Sequence, residues 1–364
     1  MLTPSSRGAR EHVAEFGAAN EAGFLRLAVL PFPAGIATDQ ASKTSDEARR
    51  IVGRAIRLCR PRWPGHALQG VADAELSSLA DECRALLSRA APGDAPCPLR
   101  DEELAFDRFF GMARHPSTDA FALGIVWGIL AMLHEVNRPH SLVPAEMTAL
   151  TTGYFELARP FLPHGDDGSG REEASAGPRP APRAEAAIER WKNGHLMFVS
   201  LTDGLILAHR RAISALGRDD AAEAGCALHD CSSLFAASAA AMRLTGDMEP
   251  REYEEVRAIM SPPRVPEGFS GLFNADHRQL LGVTKPLGAL LRQPPAQLAW
   301  SREAYWQALN DAYAAHRWVC QRLVNEAPSL IGTTHGSARP AHEKLERFAK
   351  RALYFAGCVK SPAQ

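Results

Sequence analysis

Apolar residues recur at spacings of three and four through most of this chain. That period is the signature of amphipathic helices. It predicts helices over 75–90, 103–113, 119–136, 187–216, 220–244, 301–326 and 341–356. The alternation of period two that marks strands is nearly absent. Proline and glycine cluster between the helical stretches, as at 91–98 and 261–271, where turns are expected. The run from Ala120 to Leu133 is apolar on every face, but it is too short to cross a bilayer, so it predicts a buried core helix. Segment 164–186 carries almost no large apolar side chain and reads as a flexible linker or surface loop. It divides an N-terminal helical region, 1–163, from a C-terminal region, 187–364, in which the candidate chemistry lies. The fold class expected is all-α.

Composition narrows the partners. Among 364 residues, 41 Lys and Arg face 42 Asp and Glu, so there is neither a basic footprint for nucleic acid nor a polybasic patch for a membrane surface. Small molecules, or further copies of the chain in a homo-oligomer, are the partners expected. Seven cysteines without regular spacing argue against a disulfide framework. The first residues lack the apolar core of a secretory signal, and the expected location is cytoplasmic.

Two segments carry candidate chemistry. In 301–326, Tyr305, Leu309, Ala312, His316, Val319, Cys320 and Leu323 share one helix face, which sets an imidazole and a thiol one turn apart on the inward side. Such a pair suits either core packing or a haem, because imidazole is the commonest protein ligand of haem iron. In 247–282, Tyr253 and Arg257 lie four apart on a helix that should end before Pro262-Pro263. An arginine there is either a surface residue or a bidentate grip on a carboxylate. His277 follows a Gly-rich turn and reads as a loop residue, either exposed or ligating. Cys226, His229 and Cys231 are close in sequence, but no second pair completes a zinc site. His134, Glu135 and His140 read as a helix end, and His335 and His342 flank a loop.

Taken in order, these pieces resemble the tryptophan 2,3-dioxygenase superfamily, which is all-helical and haem-dependent. The resemblance covers about 187–355. It rests on Met248-Glu249-Pro250, on Tyr253 four residues before Arg257, on Phe269-Ser270-Gly271, and on His316 followed by Ile331-Gly332-Thr333-Thr334-His335-Gly336-Ser337. Where the dioxygenases place a distal histidine, this chain has Thr202, and His195 lies two turns earlier on the same helix face. A narrower group is more similar: the 3-methyl-L-tyrosine peroxygenases of saframycin-type antibiotic pathways. Its mark is a histidine, a long gap and then His-x-x-x-Cys, which here are His277 and His316-Arg317-Trp318-Val319-Cys320.

This resemblance implies a helical haem protein of dioxygenase-like architecture with an N-terminal helical extension. It implies His316 as proximal and His277 as distal iron ligand, with Cys320 as a single covalent thioether to the haem. The reaction implied is hydroxylation of 3-methyl-L-tyrosine to 3-hydroxy-5-methyl-L-tyrosine by hydrogen peroxide, in tetrahydroisoquinoline antibiotic biosynthesis. His277 would leave the iron to admit peroxide and serve as general base. Arg257 would hold the substrate carboxylate, with Tyr253 and Thr333 nearby, and His195 or Thr202 would meet the phenol. Ortho hydroxylation of a phenol needs an electrophilic oxygen that side chains alone cannot make. No flavin or nicotinamide fingerprint is present to supply one. The alternatives are a tryptophan-type haem dioxygenase, and a non-catalytic bis-histidine haem protein that carries electrons or senses.

Overall fold

The computed structural model describes residues 28–59, 71, 73–89, 99–162, 183–267, 269 and 274–324, with 346, 350, 353 and 354 near the C-terminus. The predicted linker 164–186 falls outside these residues up to 182, and so does most of the predicted helix 341–356. The described chain is helical apart from one small sheet. Strand β1 (Ala28–Pro31) comes first, then helices α1 (Asp46–Cys59), α2 (Asp73–Arg89) and α3 (Asp101–Phe110). Strand β2 (Met112–His115) follows, then α4 (Asp119–Val136), α5 (Pro144–Ala158), α6 (Arg183–Leu216) and α7 (Ala221–Thr245). The last three are α8 (Pro250–Ile259), α9 (Ala275–Leu290) and α10 (Ala299–Leu323).

The strands pair in parallel, with Ala28 opposite Met112 and Pro31 opposite His115. Each is only four residues long, too short for an alternating pattern to stand out in sequence. The predicted helix 103–113 accordingly ends at Phe110. Gly111 takes a left-handed conformation (φ 68°) that closes the helix and turns the chain into β2.

Helix α4 is the apolar run read from the sequence. The helix extends beyond that run at both ends, to 18 residues, which makes it long and apolar enough to cross a membrane, yet 94% of it is buried inside the fold. It packs on α6, while α5 packs on α7, and α7 lies against both α6 and α10. One continuous hydrophobic cluster runs from Ala28 to Leu323. Buried charge reinforces the α4–α6 contact. Glu135, fully buried, accepts from Asn193 Nδ2 at 2.7 Å and Arg190 Nε at 3.1 Å, and Arg138 bridges to it from the end of α4. His134 lies 3.4 Å from Glu189. These two residues of α4 therefore belong to a helix end tied to α6.

Gly128 lies where α4 passes closest to α5 and α6. A Cβ there would collide with the Ser200 hydroxyl and the Tyr154 ring. Those two side chains hydrogen-bond each other at 2.9 Å in the buried interior. Gly128→Ala is therefore expected to cost about 2 kcal/mol through overpacking. A thermal melt would show it as a Tm several degrees below the parent, and an unchanged Tm would contradict it.

Candidate haem pocket

Helix α6 is 34 residues long, about 50 Å, and its first half forms one wall of the site. Trp191, His195 and Phe198 succeed one another along it at spacings of four and three. His195 stacks on Phe110 of α3, with ring centroids 4.1 Å apart and 14° between the planes. Trp191 stands 4.6 Å from His195 and 5.0 Å from Tyr253 of α8, centroid to centroid. Phe106, Phe109 and Phe269 extend the aromatic lining. Rings at these separations attract beyond their burial and hold one another in place.

Three imidazoles from three helices lie within electrostatic reach as a chain: His195 of α6, His316 of α10 and His277 of α9. His195 feels the charge of His316, and His316 that of His277. Phe198 faces His277 at 6.5 Å. Burial, and then the neighbouring imidazole, holds His316 down to about 4. Burial likewise holds His195 at about 4, against an opposing backbone hydrogen bond. Both are therefore neutral at physiological pH. Although deep in the bundle, each keeps part of its surface uncovered, as residues lining an internal space do. His195 Nδ1 donates to the Trp191 carbonyl at 2.8 Å, which leaves Nε2 as the accepting nitrogen of the neutral ring.

Cys320 lies one turn beyond His316 on α10 and is partly covered, and burial pushes its thiol up to about 11. The charges of Cys320 and Arg257 both act on Tyr253, which is buried, so these three side chains form the next part of the wall. Met248 and Phe269, from the motif stretches flanking α8, are buried in the same core cluster. The structure thus gathers His195, Tyr253, Arg257, His277, His316 and Cys320.

Other expectations require correction. His277 is not on a loop: it sits in the first turn of α9, where Asn274 caps the helix and accepts from the His277 N–H at 2.6 Å. Thr202 has no surface to offer a phenol. It is fully buried, and its hydroxyl donates to the Phe198 carbonyl at 2.7 Å. Thr333, His335 and the surrounding 331–337, with His342, lie outside the described residues. Cys231 is buried against His209 at 3.5 Å, while Cys226 is exposed. Sequence reasoning also missed Phe106, Phe110 and Trp191. Their signal was an aromatic residue repeated at helical spacing, which core packing produces just as readily.

Two observations test whether these residues fit a haem. Among the described residues no three His, Cys, Asp or Glu side chains gather closely enough to hold a bare metal ion. A porphyrin needs only axial nitrogens, and neutral imidazoles in an apolar, aromatic-lined space supply them. The second observation is the buried Trp191 Nε1–H, which has no partner among the described residues. An orphaned buried donor costs about 1–3 kcal/mol, so it is informative where it persists beside a pocket. The set fits a haem.

Fold and site together define an all-helical protein with a histidine-lined pocket suited to haem oxidation chemistry. Residues 33–301 match the profile of the family described as SfmD 3-methyl-L-tyrosine peroxygenase. The chain belongs to this family of peroxide-using oxidoreductases. A 3-methyl-L-tyrosine peroxygenase of Streptomyces lavendulae is 27% identical over 348 residues, covering 95% of this chain and 80% of the relative. A crystal structure of reduced SfmD, soaked with sodium hydrosulfite, superposes with a TM-score of 0.54 at 21% identity, over 79% of this chain and 95% of that one. That likeness bears on the fold.

Trp191→Phe keeps the aromatic stack and removes the unpaired donor. The ligand-free variant should melt at or above the parent temperature, because nothing in the protein loses a hydrogen bond. A fall of several degrees would show that the indole N–H has a partner within the protein.

Proposed function

We propose that this protein hydroxylates 3-methyl-L-tyrosine with hydrogen peroxide, using a haem held by His316, His277 and Cys320. The observation that carries the reading is that His277 and His316, from two different helices, lie within electrostatic reach of each other, with Cys320 one turn beyond His316. Family membership supplies the substrate class, an aromatic amino acid. In the balanced reaction the ring C–H becomes C–OH and peroxide leaves as water, so no separate reductant is required. When bound, haem supplies the electrophilic oxygen.

The chain's own residues do the rest. His316 would hold the haem iron, and its environment keeps it neutral. Cys320, as a thioether, would keep the haem in place. His277 would be a second holder of the haem iron and the base for the peroxide proton, and general-base catalysis of this kind contributes about 10²–10⁴-fold. Arg257, half-buried beside Tyr253, grips the substrate carboxylate. The accepting Nε2 of His195 takes the phenol hydrogen bond. The aromatic wall of Phe106, Phe110 and Trp191 holds the His195 ring in place and excludes water. Product 3-hydroxy-5-methyl-L-tyrosine serves tetrahydroisoquinoline antibiotic assembly in the cytoplasm.

Two measurements test this reading. The intact mass of the purified holoprotein under denaturing conditions should exceed the polypeptide by one haem, and that of Cys320→Ala should not. A parent at bare polypeptide mass overturns the thioether. In peroxide-driven turnover of 3-methyl-L-tyrosine, His277→Ala should lose at least about 10²-fold in kcat. Arg257→Met should act chiefly by raising KM, by about tenfold or more, since it removes a charge-assisted bond made already in the ground state. Full turnover by His277→Ala would refute its acid–base role.

A further inference from the structure

The first turn of α9 is clamped by groups from the N-terminal half of the chain. Asp276 accepts from Arg114 Nη1 and Nη2 of β2, each at 2.7 Å, and Arg114 also makes two 2.9 Å bonds to Asp107 of α3. Arg278, two residues on, pairs with Glu103 of α3, with Nη2–Oε2 at 3.0 Å. The amides of His277 and Arg278 both bond to Asn274. His277 therefore has a tethered residue on either side.

A further residue enters from α6. Asp203 is 3% exposed, and its carboxyl is in hydrogen-bonding contact with that of Asp276. Among the described residues, neither oxygen of Asp203 meets an N–H or O–H donor. Two carboxylates in contact can only accept, so the contact is a hydrogen bond only if one of them holds a proton. Asp276 has both oxygens committed to Arg114. Asp203 has no such bond. Burial, and then the Asp276 charge, pushes the Asp203 carboxyl well above the usual range, while Arg114 pulls it down and Asp107 pushes it further up. Four groups, one cation and three carboxyls, are thus sealed from water, and a proton on Asp203 reduces the excess negative charge of the set.

We propose that Asp203 is a positioning residue for the distal side of the pocket: its carboxyl O–H donates to Asp276 and fixes the turn of α9 that carries His277. An apolar residue would fill the same space without directing Asp276, whereas a donor sets where the carboxylate, and so the helix start, must lie. The inference rests on the reading of His277 as a ligand. Asp203 touches no reacting atom in this scheme.

The test uses the full-length holoprotein with Asp203→Asn, which keeps size and a donor, Asp203→Leu, which keeps size alone, and His277→Ala. Infrared difference spectra of parent against Asp203→Asn at neutral pH should show the carbonyl stretch of one protonated carboxylic acid, lost in the variant. Amide exchange at His277 and Arg278 should match the parent in Asp203→Asn and be about tenfold faster in Asp203→Leu, the loss expected for one hydrogen bond to a charged acceptor. The ferric absorption and spin-state spectrum should be parental in Asp203→Asn and shifted toward that of His277→Ala in Asp203→Leu. Absence of the protonated-acid band, or an Asp203→Leu protein whose exchange equals the parent's, overturns the proposal. If Asp203→Leu fails to fold, the band and the exchange of Asp203→Asn still decide it. A His277→Ala spectrum equal to the parent's sinks the ligand reading alone, because the infrared and exchange results do not depend on it.

Discussion

The Arg114 guanidinium, shut away from water between Asp107 and Asp276, is the contact on which the rest of the site depends. A fully buried cation is tolerable only where excellent geometry and paired charges offset its desolvation. Here two carboxylates meet it side-on, and its Nη1 donates a further bond to the Pro31 carbonyl of β1 at 3.1 Å. Removing one partner from such an arrangement typically costs about 3–5 kcal/mol. The interaction joins the small parallel sheet, helix α3 and the start of α9. In doing so it sets the depth at which His277 enters the pocket relative to His316, which arrives separately on α10.

The pocket's electrostatics follow from what surrounds it. Aromatic rings and aliphatic helix faces make the positive form of each imidazole unfavourable, so His195 and His316 keep a lone pair available. A ligand to iron and an acceptor for a phenol both need that state. The cations and anions that do enter the interior gather in paired clusters, such as Arg114 with Asp107 and Asp276, Glu135 with Arg138 and Arg190, and Arg211 with Glu223 and Asp230. Deeper in, His209 donates from Nδ1 to the Leu205 carbonyl, so its Nε2 accepts from the Tyr305 hydroxyl at 3.0 Å. That bond ties α6 to α10 without introducing charge.

The helices were legible because their apolar period persists over many turns, and α4, α6, α7 and α10 fall within a few residues of where the pattern places them. The chemistry was legible where it lay on one helix: Tyr253 with Arg257, and His316 with Cys320. The start of α9 was missed because the Pro- and Gly-rich stretch before it dominates the local signal, although Asn274 is a good N-cap. Thr202 was chosen for its place in a motif. Seven residues along a straight helix is about 10 Å, far enough for the same face to meet a different neighbour. Asp107, Arg114, Asp203 and Asp276 left no trace at all. They are single charged residues scattered over 170 positions, with no period to announce that they meet.

The long-range character of the Arg114 pairing has a bearing on modularity. Every histidine of the pocket lies in the C-terminal half of the sequence, so that half looks like the cofactor domain and the rest like an appendage. The ion pair and the Phe110 stack reverse that impression, because the wall behind His195 and the anchor beside His277 are both encoded before residue 116. The smallest piece of this protein able to present a finished pocket is therefore much larger than the piece containing the ligands. Recombination between relatives at the intervening segment would exchange ligands without their supports.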